Sequence, residues 1–149
     1  FGTARKVLDD GRIHVGAVAV GLATRLVEES IAYAKSRQQF GQAIAGFQLI
    51  QGMLADSETD LQAARALVLD AAEARDRGER PAKRAAAAKY FATAALWRIA
   101  DSAVQIHGGY GYMRDTAVER LFRDARLLRI FEGTSQVMQV VIAREMLRD

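Results

Sequence analysis

The stretch between residues 47 and 77 constrains the fold of this chain more than any other feature. Apolar side chains recur there every three or four residues, broken by Ser57, at Phe47, Ile50, Leu54, Leu61, Ala64, Val68 and Ala71. This heptad spacing places them along one side of a helix that spans on the order of 45 Å. Such a helix is typical of a bundle whose neighbouring helices pack antiparallel.

The segment before this stretch predicts a helix as well. Half of the 149 residues are hydrophobic and a single residue is proline, which favours long helices over a sheet. Asp9 or Asp10 is placed to cap a first helix that ends at about Ser36. Gly16 and Gly21 lower the helix propensity of this segment and predict close packing against a neighbour.

Helix-breaking and helix-capping residues predict where the remaining helices begin and end. After Pro81 an almost wholly apolar helix extends over about residues 82–106 and should be the most buried element. Thr116 and Glu119 form a capping box for a short helix, and a last apolar helix begins at about Val137. We therefore predict an all-α fold, an up-and-down bundle of four main helices plus a short helix, as one domain.

Composition argues against several classes of function. The net charge of +3 arises from 21 basic and 18 acidic residues that are interspersed, which gives no support for a nucleic acid partner. No apolar run reaches the roughly 20 residues that cross a bilayer, so we expect no membrane insertion. No cysteine is present, and neither His14 nor His107 follows a glutamate by three residues, so we expect no metal site. Because the chain starts at Phe1, with no initiator methionine or signal peptide, we expect a processed chain or a fragment.

Glu132 is the main candidate for chemistry. It lies between an aromatic residue and a Gly-Thr-Ser turn, in the segment Phe131-Glu132-Gly133-Thr134-Ser135-Gln136. One interpretation is a carboxylate that stabilises the start of the last helix through the helix dipole. The other is a general base beside a turn that tolerates anions. The position of Glu132 in the sequence does not by itself decide between these two interpretations.

Two further motifs carry similar alternatives. Arginines recur at every third position in the row Arg120, Arg123, Arg126 and Arg129. With Asp115, Glu119 and Asp124 interleaved, this row is either an ion-paired, solvated face or a phosphate contact. The glycines between residues 108 and 111 fit a turn that holds a phosphate or a flat ring, but they lack the preceding strand of a nucleotide fingerprint.

Four sequence blocks occur in order along the chain. They are Leu8-Asp9-Asp10-Gly11-Arg12-Ile13, then Ala34-Lys35-Ser36-Arg37-Gln38-Gln39-Phe40-Gly41 with Phe47-Gln48, then the spaced set Gln105, Gly108, Gly109, Gly111, Tyr112, Asp115, Arg120 and Asp124, and last Phe131 to Gln136. Together they resemble the C-terminal helical domain of the acyl-CoA dehydrogenase family over essentially the whole chain. In that family the bundle follows an N-terminal helical domain and a middle β domain. The resemblance therefore implies that residues 1–149 are the last domain of a longer protein.

The resemblance also implies an activity and its residues. Glu132 would remove the α-proton of an acyl-CoA thioester, in a dry site, while the β-hydrogen leaves as hydride to flavin N5 of FAD. Some relatives carry the base on the first long helix, where this chain has Gly11, and that favours Glu132. The implied FAD contacts of the adjacent subunit are Arg37, Gln38, Gln39, Phe40, Phe47, Gln48, Gln105, Ile106, His107, Gly108 and Gly109. Those of the same subunit are Thr134, Ser135 and Gln136, and the implied substrate contacts are Asp9, Asp10, Gly11, Arg12 and Gly133.

Partners follow from the same resemblance. It implies an acyl-CoA substrate, an electron-transfer flavoprotein as acceptor and a homo-oligomer, either dimer or tetramer. The location would be the cytoplasm of a bacterium or the mitochondrial matrix of a eukaryote. We expect the isolated bundle to be inactive and to bind FAD poorly, because the middle domain is missing. The alternatives are an acyl-CoA oxidase and a non-catalytic bundle for oligomerisation or scaffolding; a nitroalkane oxidase usually carries Asp at the base position, so Glu132 argues against it.

Overall fold

The computed structural model describes residues 2–148, with the side chains of residues 7–148. It contains α1 (Gly2–Ser36), α2 (Gln48–Asp76), α3 (Ala82–His107), α4 (Ala117–Leu127) and α5 (Ser135–Met146). A two-stranded hairpin, β1 (Gln38–Gln39) and β2 (Gln42–Ala43), and a 3-10 turn (Ile44–Gly46) connect α1 to α2, and a second 3-10 segment (Gly108–Tyr112) follows α3. The predicted all-α bundle is confirmed. Within these residues no helix is long and apolar enough to cross a membrane.

Helix α3 is the centre of the bundle. It packs against α1, α2, α4 and α5. Small side chains line much of its length, and the buried ones are Ala82, Ala85, Ala86, Ala88, Ala92, Ala95, Ala100 and Ala103. Because alanine adds one methyl group, the neighbouring backbones approach α3 closely and share a dense core. The prediction that this helix is the most buried element is confirmed.

Helix α1 begins earlier than predicted. It is helical from Gly2, so Asp9 and Asp10 lie within it, and the prediction that one of them caps its N-terminus is wrong. Their side chains form ion pairs instead, Asp9 with Arg12 at 2.8 Å and Asp10 with Arg75 of α2 at 2.6 Å. Aspartate stabilises a helix start but is tolerated inside a helix when its carboxylate has a cationic partner nearby.

The two glycines of α1 behave differently. A Cβ at Gly16 would lie 2.9 Å from Val68 Cγ2 of α2, so this glycine permits close helix packing as predicted. A Cβ at Gly21 would have no neighbour within 4 Å, and the same prediction is wrong there. Glycine in a helix therefore marked a close approach at one position of α1 and open solvent at the other.

Helix α2 follows the predicted heptad seam and bounds. Its buried residues include Ser57, Leu61, Ala64, Val68 and Ala71. It ends at Asp76, and Gly78, two residues later, has a left-handed φ of 76°. Gly78 N–H donates to Arg75 O and Glu79 N–H to Ala74 O, the paired bonds of a Schellman motif.

Threonine caps set the starts of α4 and α5. Thr116 Oγ1 accepts from Glu119 N–H at 3.4 Å, while the Glu119 carboxylate pairs with Arg123 at 2.6 Å, so half of the predicted capping box is formed. Thr134 Oγ1 accepts from Val137 N–H at 3.3 Å. Helix α5 therefore begins at Ser135, two residues before the predicted start.

Candidate active site

Glu132 lies in a turn with an uncommon backbone conformation between α4 and α5. Its φ is 55° and that of Gly133 is 93°, so two successive residues are left-handed. Such a conformation costs a non-glycine residue about 1–2 kcal/mol. Ser135 N–H closes the turn on Arg129 O at 3.2 Å, and Thr134 caps the helix that follows. The capping function therefore belongs to Thr134, and Glu132 is exposed on the strained side of the turn.

Helix α1 approaches the Glu132 carboxylate at Gly11. A Cβ at position 11 would lie 2.8 Å from Glu132 Oε2 and 3.4 Å from Glu132 Cδ. Any larger residue would therefore occupy the space in which the carboxylate lies. Glycine at this position leaves the carboxylate oxygens free to meet another molecule.

Lys89 of α3 is a site residue that no sequence motif indicated. Its side chain is fully buried, and Nζ donates a hydrogen bond to the carbonyl of Gly133. Burial lowers the pKa of Lys89, and the nearby Arg12 lowers it further, whereas the Glu132 carboxylate opposes both effects. The signal in the sequence was a lysine in the alanine-rich apolar interior of the helix, beyond its first turn, where a charge requires a buried partner.

An arginine-rich cleft opens beside α1. Its volume is about 870 Å³, and its walls come from α1, the α2–α3 connection and α5. It is lined by Leu8, Asp9, Asp10, Arg12, Arg75, Gly78, Glu79, Arg80, Pro81, Ala82, Val141, Arg144, Glu145 and Arg148. Burial raises the pKa of Asp9, against the opposing effect of Arg12. Among the described residues that line this cleft, five arginines against four carboxylates give an excess of positive charge.

An apolar cavity of about 720 Å³ lies at the opposite end of α1. It is lined by Tyr33, Arg37, Gln39, Phe40, Ile44, Phe47, Leu49, Ile50, Gln105, Ile106, His107, Gly108, Gly109, Tyr110 and Met113. The His107 ring stacks on Tyr33 at 4.2 Å, and the Arg37 guanidinium lies 5.6 Å from the Tyr110 ring centre. His107 Nδ1 lies 2.8 Å from Ala103 O, so this nitrogen carries the proton, since a carbonyl can only accept.

The hairpin between α1 and α2 presents an aromatic side chain at the rim of this cavity. Phe40 and Gly41 form its two-residue turn, with φ values of 51° and 82°. Phe40 is 92% exposed, and its ring meets that of Phe47 edge to face at 6.1 Å. A bulky residue in left-handed conformation that buries almost nothing in its own chain is a candidate contact for another molecule.

The predicted site residues fall into three places. Those around the apolar cavity are Arg37, Gln39, Phe40, Phe47, Gln105, Ile106, His107, Gly108 and Gly109, whereas Gln38 and Gln48 are exposed neighbours that do not line it. Asp9, Asp10 and Arg12 line the arginine-rich cleft. Gly11, Gly133, Thr134, Ser135 and Gln136 lie with Glu132. The fold therefore brings sequence-distant members together at each place and keeps the apolar cavity apart from the other two.

The four arginines of the row from Arg120 to Arg129 have different surroundings. Arg123 pairs with Glu119, and Arg120 and Arg126 are exposed. Arg129 Nε is buried without a hydrogen-bond partner among the described residues, beside the turn that carries Glu132. The ion-paired interpretation therefore fits Arg123. Over the part of the chain described, no group of three or more His, Asp or Glu side chains could hold a metal ion.

Comparisons with known proteins agree with this arrangement. Residues 1–147 match the family model described as acyl-CoA dehydrogenase, C-terminal domain. A 3-(aryl)acrylate reductase of Clostridium sporogenes is 51% identical over 99% of this chain and 39% of its own length. The subunit CarC of a caffeyl-CoA reductase-Etf complex from Acetobacterium woodii is 47% identical over 99% of this chain and 39% of its own length.

A solved structure extends the agreement to the fold. The butyryl-CoA dehydrogenase of Megasphaera elsdenii superposes with a TM-score of 0.97 at 40% identity, over 99% of this chain and 39% of that one. The present chain thus spans about two fifths of the length of these relatives. The sequence blocks, the helical bundle and the family model all extend over nearly the whole chain. The chain therefore belongs to the acyl-CoA dehydrogenase family, as its C-terminal helical domain.

Proposed function

We propose that this chain is the C-terminal domain of an FAD-dependent enzyme that removes the α- and β-hydrogens of an acyl-CoA thioester. The observation that carries the proposal is the Glu132 turn. Its carboxylate is exposed, unobstructed by Gly11, and held on a strained backbone next to a buried cation. A carboxylate presented in this way suits a proton acceptor, because a base must reach within hydrogen-bonding distance of the proton that it removes.

In the proposed reaction Glu132 takes the α-proton of the thioester. That proton is acidic because the adjacent carbonyl spreads the developing negative charge. Gly11 leaves room for the carboxylate beside α1, whereas a Cβ at Gly133 would lie 2.7 Å from Met138 Cε, so Gly133 permits close packing of the turn against α5. The dry surroundings expected for such a base are not provided by the bundle alone, since Glu132 is exposed, so we infer that parts of the full-length protein cover it.

FAD is the proposed cofactor, and the residues of the apolar cavity fit a part of it. The cavity combines aromatic walls with a cation at Arg37, and the backbone at Gly108 and Gly109 is open to a close approach. Near Glu132, Ser135 Oγ is buried without a hydrogen-bond partner among the described residues, which leaves a polar atom for a ligand to satisfy. When bound, FAD accepts the β-hydrogen as hydride. The cavity would hold the FAD of an adjacent subunit, and Thr134 to Gln136 that of their own subunit, in a dimer or tetramer.

The arginine-rich cleft is the proposed site for the phosphates of coenzyme A. Arg80 and Arg144 line it, and no ion pair of either is among those found in the described structure. Guanidinium groups bind phosphate oxygens through charge-assisted hydrogen bonds. Helix α1 connects this cleft to the proposed base, because Arg12 lines the cleft while the Glu132 carboxylate occupies the space beside Gly11. A thioester anchored by its phosphates in the cleft would therefore extend towards Glu132.

The direction of the reaction depends on the redox partner. Both curated relatives described above are named as reductases or reductase subunits, and one of them is a subunit of a complex with Etf. A base that removes the α-proton in one direction returns it in the other, so Glu132 serves dehydrogenation and enoyl reduction alike. We propose an electron-transfer flavoprotein as partner. Faster turnover with oxygen than with that flavoprotein would favour the oxidase alternative.

The experiment is a substitution of Glu132 by Gln in the full-length enzyme. We expect at least a thousandfold lower rate of FAD reduction by acyl-CoA, within the range lost with a general base, and an unchanged FAD content. Glu28→Gln, at an exposed position of α1, is the matched control and should match the wild type. Turnover of Glu132→Gln at the wild-type rate would reject the assignment of the base.

A further inference from the structure

Lys89 is a buried cation in an unexpected place. It lies on the central helix, with Ala85, Ala86, Ala88 and Ala92 as buried neighbours on the same helix. Its side chain has no exposed surface, although burying an ammonium group is unfavourable unless polar partners compensate. A methionine would fill the same space without that penalty. The charge at this position therefore calls for a function.

The partners of Lys89 lie in the turn that carries the base. Nζ donates to the carbonyl of Gly133, which is 44 residues away in the sequence. The charged groups that face Nζ are Arg12 from α1 and Glu132 from the turn itself. Arg12 is in turn paired with Asp9 at 2.8 Å, and the Glu132 carboxylate is close enough to raise the pKa of Lys89, although the Nζ hydrogen bond itself goes to the Gly133 carbonyl.

The hydrogen bond from Lys89 Nζ to the Gly133 carbonyl lies where the backbone conformation is strained. Glu132 and Gly133 are both left-handed, and the Gly133 carbonyl directly follows them. Strained conformations persist where the surroundings hold them in place, and they are common where a side chain must be aimed. An ammonium group fixed in the core of the bundle provides such a hold, because α3 contacts every other helix.

We propose that Lys89 is a positioning residue for Glu132. Its ammonium group holds the Gly133 carbonyl, keeps the Glu132–Gly133 turn left-handed and directs the carboxylate past Gly11 towards the substrate. Lys89 touches neither substrate nor cofactor in this arrangement. The inference rests on the proposed function of Glu132 as base.

The test compares three variants of the full-length enzyme. Lys89→Met removes both the charge and the hydrogen bond, Lys89→Gln keeps a donor without the charge, and Lys83→Met on an exposed part of α3 is the control. We expect kcat to fall ten- to hundredfold in Lys89→Met and less in Lys89→Gln, since misplacing a catalytic group by about 1 Å can cost 100-fold. KM for acyl-CoA and FAD content should change less than threefold, and Lys83→Met should match the wild type.

A second measurement isolates proton transfer. Exchange of the thioester α-hydrogen with D₂O, followed by NMR, reports the action of the base without hydride transfer, and it should slow in the same order as kcat. Equal kcat in Lys89→Met and Lys83→Met would overturn the proposal. So would loss of FAD and of folded protein in both Lys89 variants, because that outcome indicates a structural role only. A wild-type enzyme that neither reduces its FAD with acyl-CoA nor exchanges the α-hydrogen would instead reject the proposed function.

Discussion

Replacing Gly11 by alanine separates the stability of this bundle from the placement of the proposed base, Glu132. The added Cβ would lie 2.8 Å from Glu132 Oε2, whereas ordinary van der Waals contact begins at 3.4 Å. The carboxylate oxygen must therefore move by at least the difference, 3.4 − 2.8 = 0.6 Å. Because that oxygen ends a flexible, exposed side chain, it moves at little energetic cost, and the backbone of α1 stays in place.

The expected result is a more stable protein with a slower reaction. Alanine is about 0.8–1.0 kcal/mol more favourable than glycine inside a helix, so the free energy of unfolding should not decrease. A base displaced by more than half an ångström from its reacting geometry should lower kcat roughly tenfold or more, given a loss of about 100-fold for 1 Å. Stopped-flow measurement of FAD reduction gives the rate, and thermal melting of the full-length enzyme gives the stability.

Gly21→Ala is the matched control for this experiment. Gly21 lies on the same helix, and a Cβ there would meet nothing within 4 Å. It should show the same gain in stability with kcat unchanged. A Gly11→Ala enzyme with the wild-type rate would refute the inferred contact with the base, and one that melts at a lower temperature would show that α1 moved instead of the Glu132 side chain.

The remaining predictions test packing, substrate binding and pH dependence. Gly16→Ala should lower the free energy of unfolding by about 1 kcal/mol, because overpacking against the buried Val68 costs about 1–3 kcal/mol and exceeds the gain in helix propensity; denaturant unfolding measures it. Arg80→Ala should raise KM roughly tenfold for a coenzyme A thioester but not for the matching pantetheine thioester, which lacks the nucleotide phosphates; equal KM changes for the two would contradict the assignment of the cleft. Arg123 lowers the pKa of Glu119 below its ordinary 4.5, so the pair stabilises the fold above that pH and the benefit is lost as pH falls through the lowered value. The melting temperature of Glu119→Gln should therefore differ from the wild type at pH 6 and converge with it below pH 4.5; a constant difference would contradict the pairing.

Local rules predicted most of the fold. The end of α2 and the start of α3 follow from Gly78 and Pro81, which act on the backbone within one turn and are readable from the sequence. The start of α1 was not readable in this way, because Asp9 is compatible both with a helix cap and with a helical ion pair. The choice between them depends on Arg12 and on the residues before Asp9, which continue the helix.

The site was predictable to a smaller extent. Glu132 stood out from its motif, and resemblance to the family selected the base over the cap, but its role and those of the proposed cofactor contacts stay predictions. The left-handed φ of Glu132 is a property of the folded chain. So is its approach to Gly11, because that approach brings α1 together with a turn more than 100 residues later in the sequence. Lys89 was missed for the same reason, because its partner lies on a segment that sequence periodicity does not connect to α3.

The geometry of Glu132 separates two contributions to its proposed function as a base, the direction of the carboxylate and its desolvation. Direction comes from this bundle, since Lys89 and the strained turn hold the backbone from which the Glu132 side chain extends, and Gly11 leaves that side chain room. Desolvation of the carboxylate does not come from this bundle, since the Glu132 side chain is exposed. Substitutions at Gly11 or Lys89 should therefore alter kcat through orientation, at constant polarity around the base, whereas changes in whatever covers Glu132 should alter the pH dependence of kcat. An enzyme in which Lys89→Met and a change in the covering segment shifted the same parameter by the same factor would show that orientation and desolvation are not separable here.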